Sequence, residues 1–101
     1  MKQTNKFLSF LGLTARAGKI ITGEEMVVKG IQQGKIYLVI VAKDASDNTR
    51  KKISDKCNFY QIPYKEAFER DLLGDAIGKA SRVVIGISDK GFSQQLEKLL
   101  E

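Results

Sequence analysis

Ile36-Tyr37-Leu38-Val39-Ile40-Val41 is an almost unbroken apolar run, and Lys43-Asp44-Ala45-Ser46-Asp47 supplies a turn and a helix start soon after it. A run this short, rich in β-branched residues and lacking the alternation of a half-exposed strand, reads as a strand covered on both faces. A second run of the same kind, Val83-Val84-Ile85-Gly86-Ile87, lies near the other end of the chain. Two doubly covered strands need helices on both sides of one sheet. The expected class is therefore α/β: a three-layer α/β/α sandwich around a small mixed four-stranded sheet.

The segments around these runs alternate accordingly. An opening helix from about Thr4 to Ala17 repeats Phe7, Leu8, Leu11 and Ala15 at helical spacing, with Thr4 or Asn5 as cap and Gly18 as its left-handed stop. Gly12 inside it implies a close neighbour. Ile20-Ile21 form a short strand, Thr22 or Gly23 caps the next helix, and that helix runs from Glu24 to about Gln33 with Val27, Val28 and Ile31 inward. Beyond the first long run, a helix from Asp47 to about Cys57 carries Thr49, Ile53 and Cys57 at four-residue steps, with Arg50, Lys51, Lys52 and Lys56 outside. Phe59-Tyr60-Gln61-Ile62 is read as an edge strand closed by Pro63. Lys65 to Asp71 is read as a short helix, and Leu72 to Gly78 as a further helical segment. Lys79-Ala80-Ser81-Arg82 is a loop before the second run. Ser88 or Asp89 then caps a last helix with Phe92, Leu96, Leu99 and Leu100 inward.

A chain of 101 residues is read as one domain spanning 1–101. Its net charge of +5 is unevenly placed: residues 1–56 hold 11 Lys or Arg against 5 Asp or Glu, and the remainder holds 6 against 7. One basic half points to a polyanionic partner. The sequence contains no His and a single Cys57, so a His-based dyad and a cysteine zinc site are both excluded. No Walker loop and no dinucleotide fingerprint occurs. The expectation is a non-enzymatic protein without cofactor or metal. It is placed in the cytoplasm, away from membranes, since no apolar run is long enough to span one and there is no secretory leader.

The segment Gly18-Lys19-Ile20-Ile21-Thr22-Gly23-Glu24-Glu25-Met26-Val27-Val28-Lys29 combines a helix stop, a strand, a glycine turn and a helix start whose N–H groups have no internal partners. Such a start, in a basic chain, is suited to phosphate. Taken one at a time, the plain readings compete: Gly23 as a turn glycine, Lys29 as a solvated lysine, Arg50 to Lys56 as a wet helix face or an accessory phosphate contact. Tyr37, Tyr60 and Tyr64 fit packing better than base stacking.

With these elements in order, the chain resembles the kink-turn RNA-binding ribosomal proteins of the L-seven-Ae and L-thirty-e superfamily. The resemblance rests on Ala17-Gly18-Lys19 with Gly23 and Lys29, on Leu38-Val39-Ile40-Val41-Ala42-Lys43-Asp44-Ala45, and on Leu73-Gly74-Asp75-Ala76-Ile77-Gly78. Asp44-Ala45-Ser46, Asn48-Thr49, Asp55-Lys56-Cys57 and Pro63-Tyr64 point to its bacterial YlxQ-type subgroup. The resemblance implies RNA as partner, a kink-turn or ribosomal RNA, with the ribosome as a possible setting; the chain is read as a monomer. It implies that the turn and first residues of the second helix enter the groove beside sheared G·A pairs, while the loop before the last strand cradles a flipped-out nucleotide. The RNA-contacting set is then Lys19, Gly23, Glu24, Glu25, Lys29, Lys43, Lys79, Ala80, Ser81 and Arg82, with Lys29 directed at the guanines. Glu25 and Met26 depart from the family pattern, which has Asn or a basic residue and then Glu or Gln. Two alternatives stand beside this reading. One is a protein-binding adaptor on the same fold. The other is a Mg²⁺-dependent phosphoryl-transfer enzyme that pairs Asp44 with Asp89.

Overall fold

The computed structural model describes residues 5–101. Nine elements alternate in the expected order: α1 (Lys6–Arg16), β1 (Ile20–Thr22), α2 (Glu24–Gln32), β2 (Leu38–Val41), α3 (Asp47–Tyr60), β3 (Tyr64–Glu66), α4 (Arg70–Ala76), β4 (Val84–Ile87) and α5 (Lys90–Leu99). The strands form one mixed sheet in the order β1-β4-β2-β3. β4 runs antiparallel to both of its neighbours, and β2 and β3 are parallel.

Alternate residues of the two central strands feed two separate cores, as the two-residue strand period requires. Leu38, Ile40, Ile85 and Ile87 pack with Phe7, Leu11, Leu73 and Leu96 on the α1/α4/α5 side. Val39, Val41 and Val84 pack with Val27, Ile31, Ile53 and Cys57 under α2 and α3. Both strands are buried along their whole length, so the three-layer sandwich is as expected. Cys57 lies in the second core, and burial pushes its thiol up to about 11, well away from reactivity.

Asn5 caps α1 by accepting from the Leu8 N–H at 3.0 Å. The other cap considered, Thr4, lies outside the described residues. Gly12 is buried against α4, where a Cβ would meet the Ala76 carbonyl oxygen at 2.8 Å.

Two expected elements are displaced. Phe59 and Tyr60 continue α3 rather than forming a strand, and Gln61 ends the helix in the left-handed conformation, with its N–H bonded to the Asn58 carbonyl. The edge strand begins only after Pro63, which joins the ladder solely through its carbonyl, accepting from Val39 N–H at 3.0 Å. In consequence Lys65 and Glu66 are strand, not helix. Phe68, at φ 63°, turns the chain into α4, which merges the two helical segments read over 65–78.

Candidate nucleic-acid interface

Pairing directions decide what meets what. Thr22 faces Ile85, Val41 faces Val84 and Glu66 faces Val41, so the ends of β1, β2 and β3 and the start of β4 share one rim of the sheet. Gly23 and the start of α2, Lys43, and the loop 79–82 all emerge there. Lys19 does not. It precedes Ile20, which pairs with Ile87, and its carbonyl accepts from Ser88 N–H at 2.8 Å on the opposite rim. Its neighbourhood with Gly18 and Arg16 is a basic corner, separate from the rest of the expected set.

The same pairing removes the magnesium alternative. β2 and β4 are antiparallel, so Asp44 follows the end of β2 on one rim and Asp89 follows the end of β4 on the other. Each carboxylate has another task. Asp44 accepts from Arg70, through the backbone N–H at 3.0 Å and Nε at 3.1 Å. Desolvation pushes its carboxyl up, but these donors outweigh it and leave the carboxyl below the usual range. Asp89 caps α5, accepting from Phe92 N–H at 2.9 Å. Among the described residues no group of three His, Cys, Asp or Glu is placed to hold a metal ion.

On the shared rim, α2 begins in an unusual way. Gly23 has φ 97° and ψ 142°, a conformation in which side chains are strained, and it offers no capping side chain. Its N–H donates to the Val84 carbonyl at 3.1 Å, pinning the turn to β4. The first helical bond runs from Val27 N–H to the Gly23 carbonyl. The N–H groups of Glu24, Glu25 and Met26 therefore point out of the helix end, together with the positive end of its dipole.

Beside this start lies a cleft of about 260 Å³, lined by Gly23, Glu24, Ser46, Thr49, Arg70, Ser81, Arg82, Val83 and Val84. The turn before α2 and the loop before β4, read separately in the sequence, thus meet. Gly74 makes the approach of that loop possible: the Ala80 carbonyl lies where a Cβ on Gly74 would sit, and Lys79 N–H donates to the Gly74 carbonyl at 2.9 Å. Arg82 folds over its own loop, Nη1 donating to the Ala80 and Ser81 carbonyls at 3.2 and 3.0 Å. Its backbone N–H reaches the Arg70 carbonyl at 3.1 Å. Lys79, Ala80 and Ser81 are exposed.

The acid at the mouth is neutralised from within. Glu24 lies 3.0 Å from Lys52 Nζ and accepts from the Thr49 hydroxyl at 3.0 Å. The Lys52 ammonium first, and Thr49 second, hold its carboxyl below the ordinary 4.5. Glu25 is exposed on the outer edge of α2. Lys29 lies on the far flank, lining a groove of about 290 Å³ with Ile21, Met26, Gly30, Gln33 and Lys35. The expected contacts therefore divide between two surfaces: Glu24 and the loop line the cleft at the start of α2, while Lys29, in the last turn of that helix, lines a separate groove with exposed Met26. Lys43 is exposed on the same rim, outside both cavities.

Arg70, Thr49 and Ser46 also line the cleft, although the expected RNA-contacting set contains none of them. In the sequence Arg70 is one charge among Glu66, Glu69 and Asp71, and the turn at Phe68 brings it to the rim.

Residues 5–97 match the model of the ribosomal protein L7Ae/L30e/S12e/Gadd45 family. Over 95% of its length the chain is 45% identical to RNA-binding protein YlxQ of Bacillus subtilis, 96% of which is covered. A solved protein of unknown function from Bacillus halodurans superposes with a TM-score of 0.95 at 54% identity, covering 96% of this chain and 98% of that one. The 15.5kD RNA binding protein of Giardia lamblia has the same fold, with a TM-score of 0.76 at 24% identity, and covers 91% of this chain and 85% of its own. No helix among the described residues is long and apolar enough to cross a membrane.

Proposed function

The chain belongs to the ribosomal protein L7Ae/L30e/S12e/Gadd45 family, and on that premise we propose that it is a non-catalytic RNA-binding protein that recognises a kinked RNA helix at the start of α2. One observation carries the proposal: an uncapped helix start at Gly23 opens onto the same cleft as Ser81 and Arg82. The free N–H groups of Glu24, Glu25 and Met26 donate to phosphate or base oxygens as the turn enters the groove. Lys29, on the outer flank, donates to guanine O6 and N7. Glu25 is an acceptor for a base amino group. The Lys79–Arg82 loop offers exposed backbone and two nearby guanidiniums, of Arg70 and Arg82, around an unstacked nucleotide. RNA at a bend is read in this way, through shape and splayed bases rather than through a regular groove.

The Lys52–Glu24 pair fits the same reading, because it neutralises the acid nearest the cleft that would otherwise repel phosphate. The test is a titration against a kink-turn RNA and a straight duplex of equal length. The kink-turn is expected to bind at least about tenfold more tightly. Equal affinity for the two, or none for either, defeats the proposal.

A further inference from the structure

Helix α3 carries a stripe that leads away from the cleft. Thr49, Lys52, Lys56 and the adjacent pair Phe59-Tyr60 recur at three- and four-residue spacing, so they share one side of the helix. The stripe begins in the cleft, which Thr49 lines, and extends about 16 Å along the helix axis. Its far end is a groove formed by Lys52, Asp55, Lys56, Phe59 and Tyr60.

Phe59 is 77% exposed, more than any other large apolar side chain among the described residues, and its removal would leave both cores intact. Its ring meets that of Tyr60 nearly at right angles, with centroids 4.9 Å apart. The acid of the groove, Asp55, is engaged by Lys51 at 3.2 Å. Lys56 makes no ion pair among the described residues.

We infer that this stripe is a second RNA contact: a single-stranded segment leaves the cleft along α3, passing the Lys52–Glu24 pair, with a phosphate on Lys56 and a base stacked on Phe59. The inference rests on the RNA-binding reading above and adds a partner segment to it. Charge and continuity select the occupant. An exposed ring about one turn beyond Lys56, at the end of a stripe contiguous with a phosphate-suited cleft, matches the way single strands are held, by stacking and cationic tracking without sequence readout. The groove between α1 and α4 has different chemistry: Leu8, Gly12, Leu72 and Ala76 line it with Arg16 and Asp75, and no aromatic ring is present.

The experiment uses the full chain and two RNAs that share one kink-turn. One ends flush, and the other carries a short single-stranded adenosine extension, placed on each strand in turn. Fluorescence anisotropy is expected to show about fivefold or greater tightening with one of the extensions. Phe59→Ala and Phe59→Leu should erase that gain while leaving affinity for the flush RNA unchanged, and Phe59→Trp should keep it. The inference is overturned if flush RNA binds and no extension adds affinity, or if the gain survives Phe59→Ala. It is likewise overturned if sedimentation shows self-association of the free chain that Phe59→Ala abolishes, which would make the patch a protein contact. If neither RNA binds, the underlying RNA reading itself fails.

Discussion

Helices α2 and α5 both start at the end of a strand of the same sheet, yet their first turns are finished in opposite ways. At α5 the chain closes its own helix end: Asp89 accepts from Phe92 N–H and sets a carboxylate against the dipole. At α2 the corresponding position is Gly23, with no side chain to close anything, in a backbone conformation that disfavours any residue with a Cβ. The two ends also lie on opposite rims, because β1 is antiparallel to β4. One start is a structural cap. The other is left open beside a cleft, and that difference separates a helix end that serves the fold from one available to a ligand.

The comparison can be broken most severely by giving α2 the cap that α5 has. Gly23→Asp is expected to lower kink-turn affinity by tenfold or more, about 1.4 kcal/mol, and to destabilise the fold by about 1–3 kcal/mol through strain at positive φ. Gly23→Ala carries the strain without the charge, so retention of more affinity in the Ala variant would isolate the electrostatic part. Next in size, Lys29→Ala should weaken binding by roughly 1–3 kcal/mol if its ammonium meets a base, whereas Lys90→Ala, at the start of α5, should leave affinity unchanged. Equal losses in the two titrations would erase the distinction between the rims. Asp89→Ala should lower stability by about 1 kcal/mol in urea unfolding and spare RNA binding.

The smallest effect concerns pH. The folded-state carboxyl of Glu24 is held below 4.5 by Lys52 and Thr49, so its contribution is complete above its unfolded value and fades as pH falls through the lower folded one. Thermal melts across the acidic range should show Glu24→Gln losing part of the native chain's pH dependence. An unchanged profile would mean that the pair at 3.0 Å adds nothing measurable.

Much of this is legible in the sequence. The double burial of 38–41 and 84–87 announced the layers, and Asp89 and Gly23 stood where a helix start needs a cap or a turn. What sequence could not supply was pairing direction. Lys19 sits close to Gly23 along the chain, but a strand of three residues carries it to the other rim. Asp44 and Asp89 look equivalent after two apolar runs and are separated for the same reason. Phe59 and Tyr60 have strand character, so the sequence places the edge strand too early, and nothing local shows that Gln61 will accept a left-handed cap two residues before a proline. Arg70 reaches the cleft only through the turn at Phe68, and the helical spacing that marks Thr49 says nothing of the loop it will face.

The bond from Gly23 N–H to the Val84 carbonyl gives the cleft a particular place in the life of the molecule. It joins segments far apart in the chain, and closing such a loop costs entropy before the contact is made. A partly folded state that keeps β2 between β3 and β4 but has released β1 still has most of a sheet and no cleft at all. A ligand that grips the open end of α2 selects against that state and raises the population of the intact fold by mass action. Hydrogen exchange at the Gly23 amide should slow when the ligand is bound, making this single proton a gauge of whether the first strand and the last are holding together.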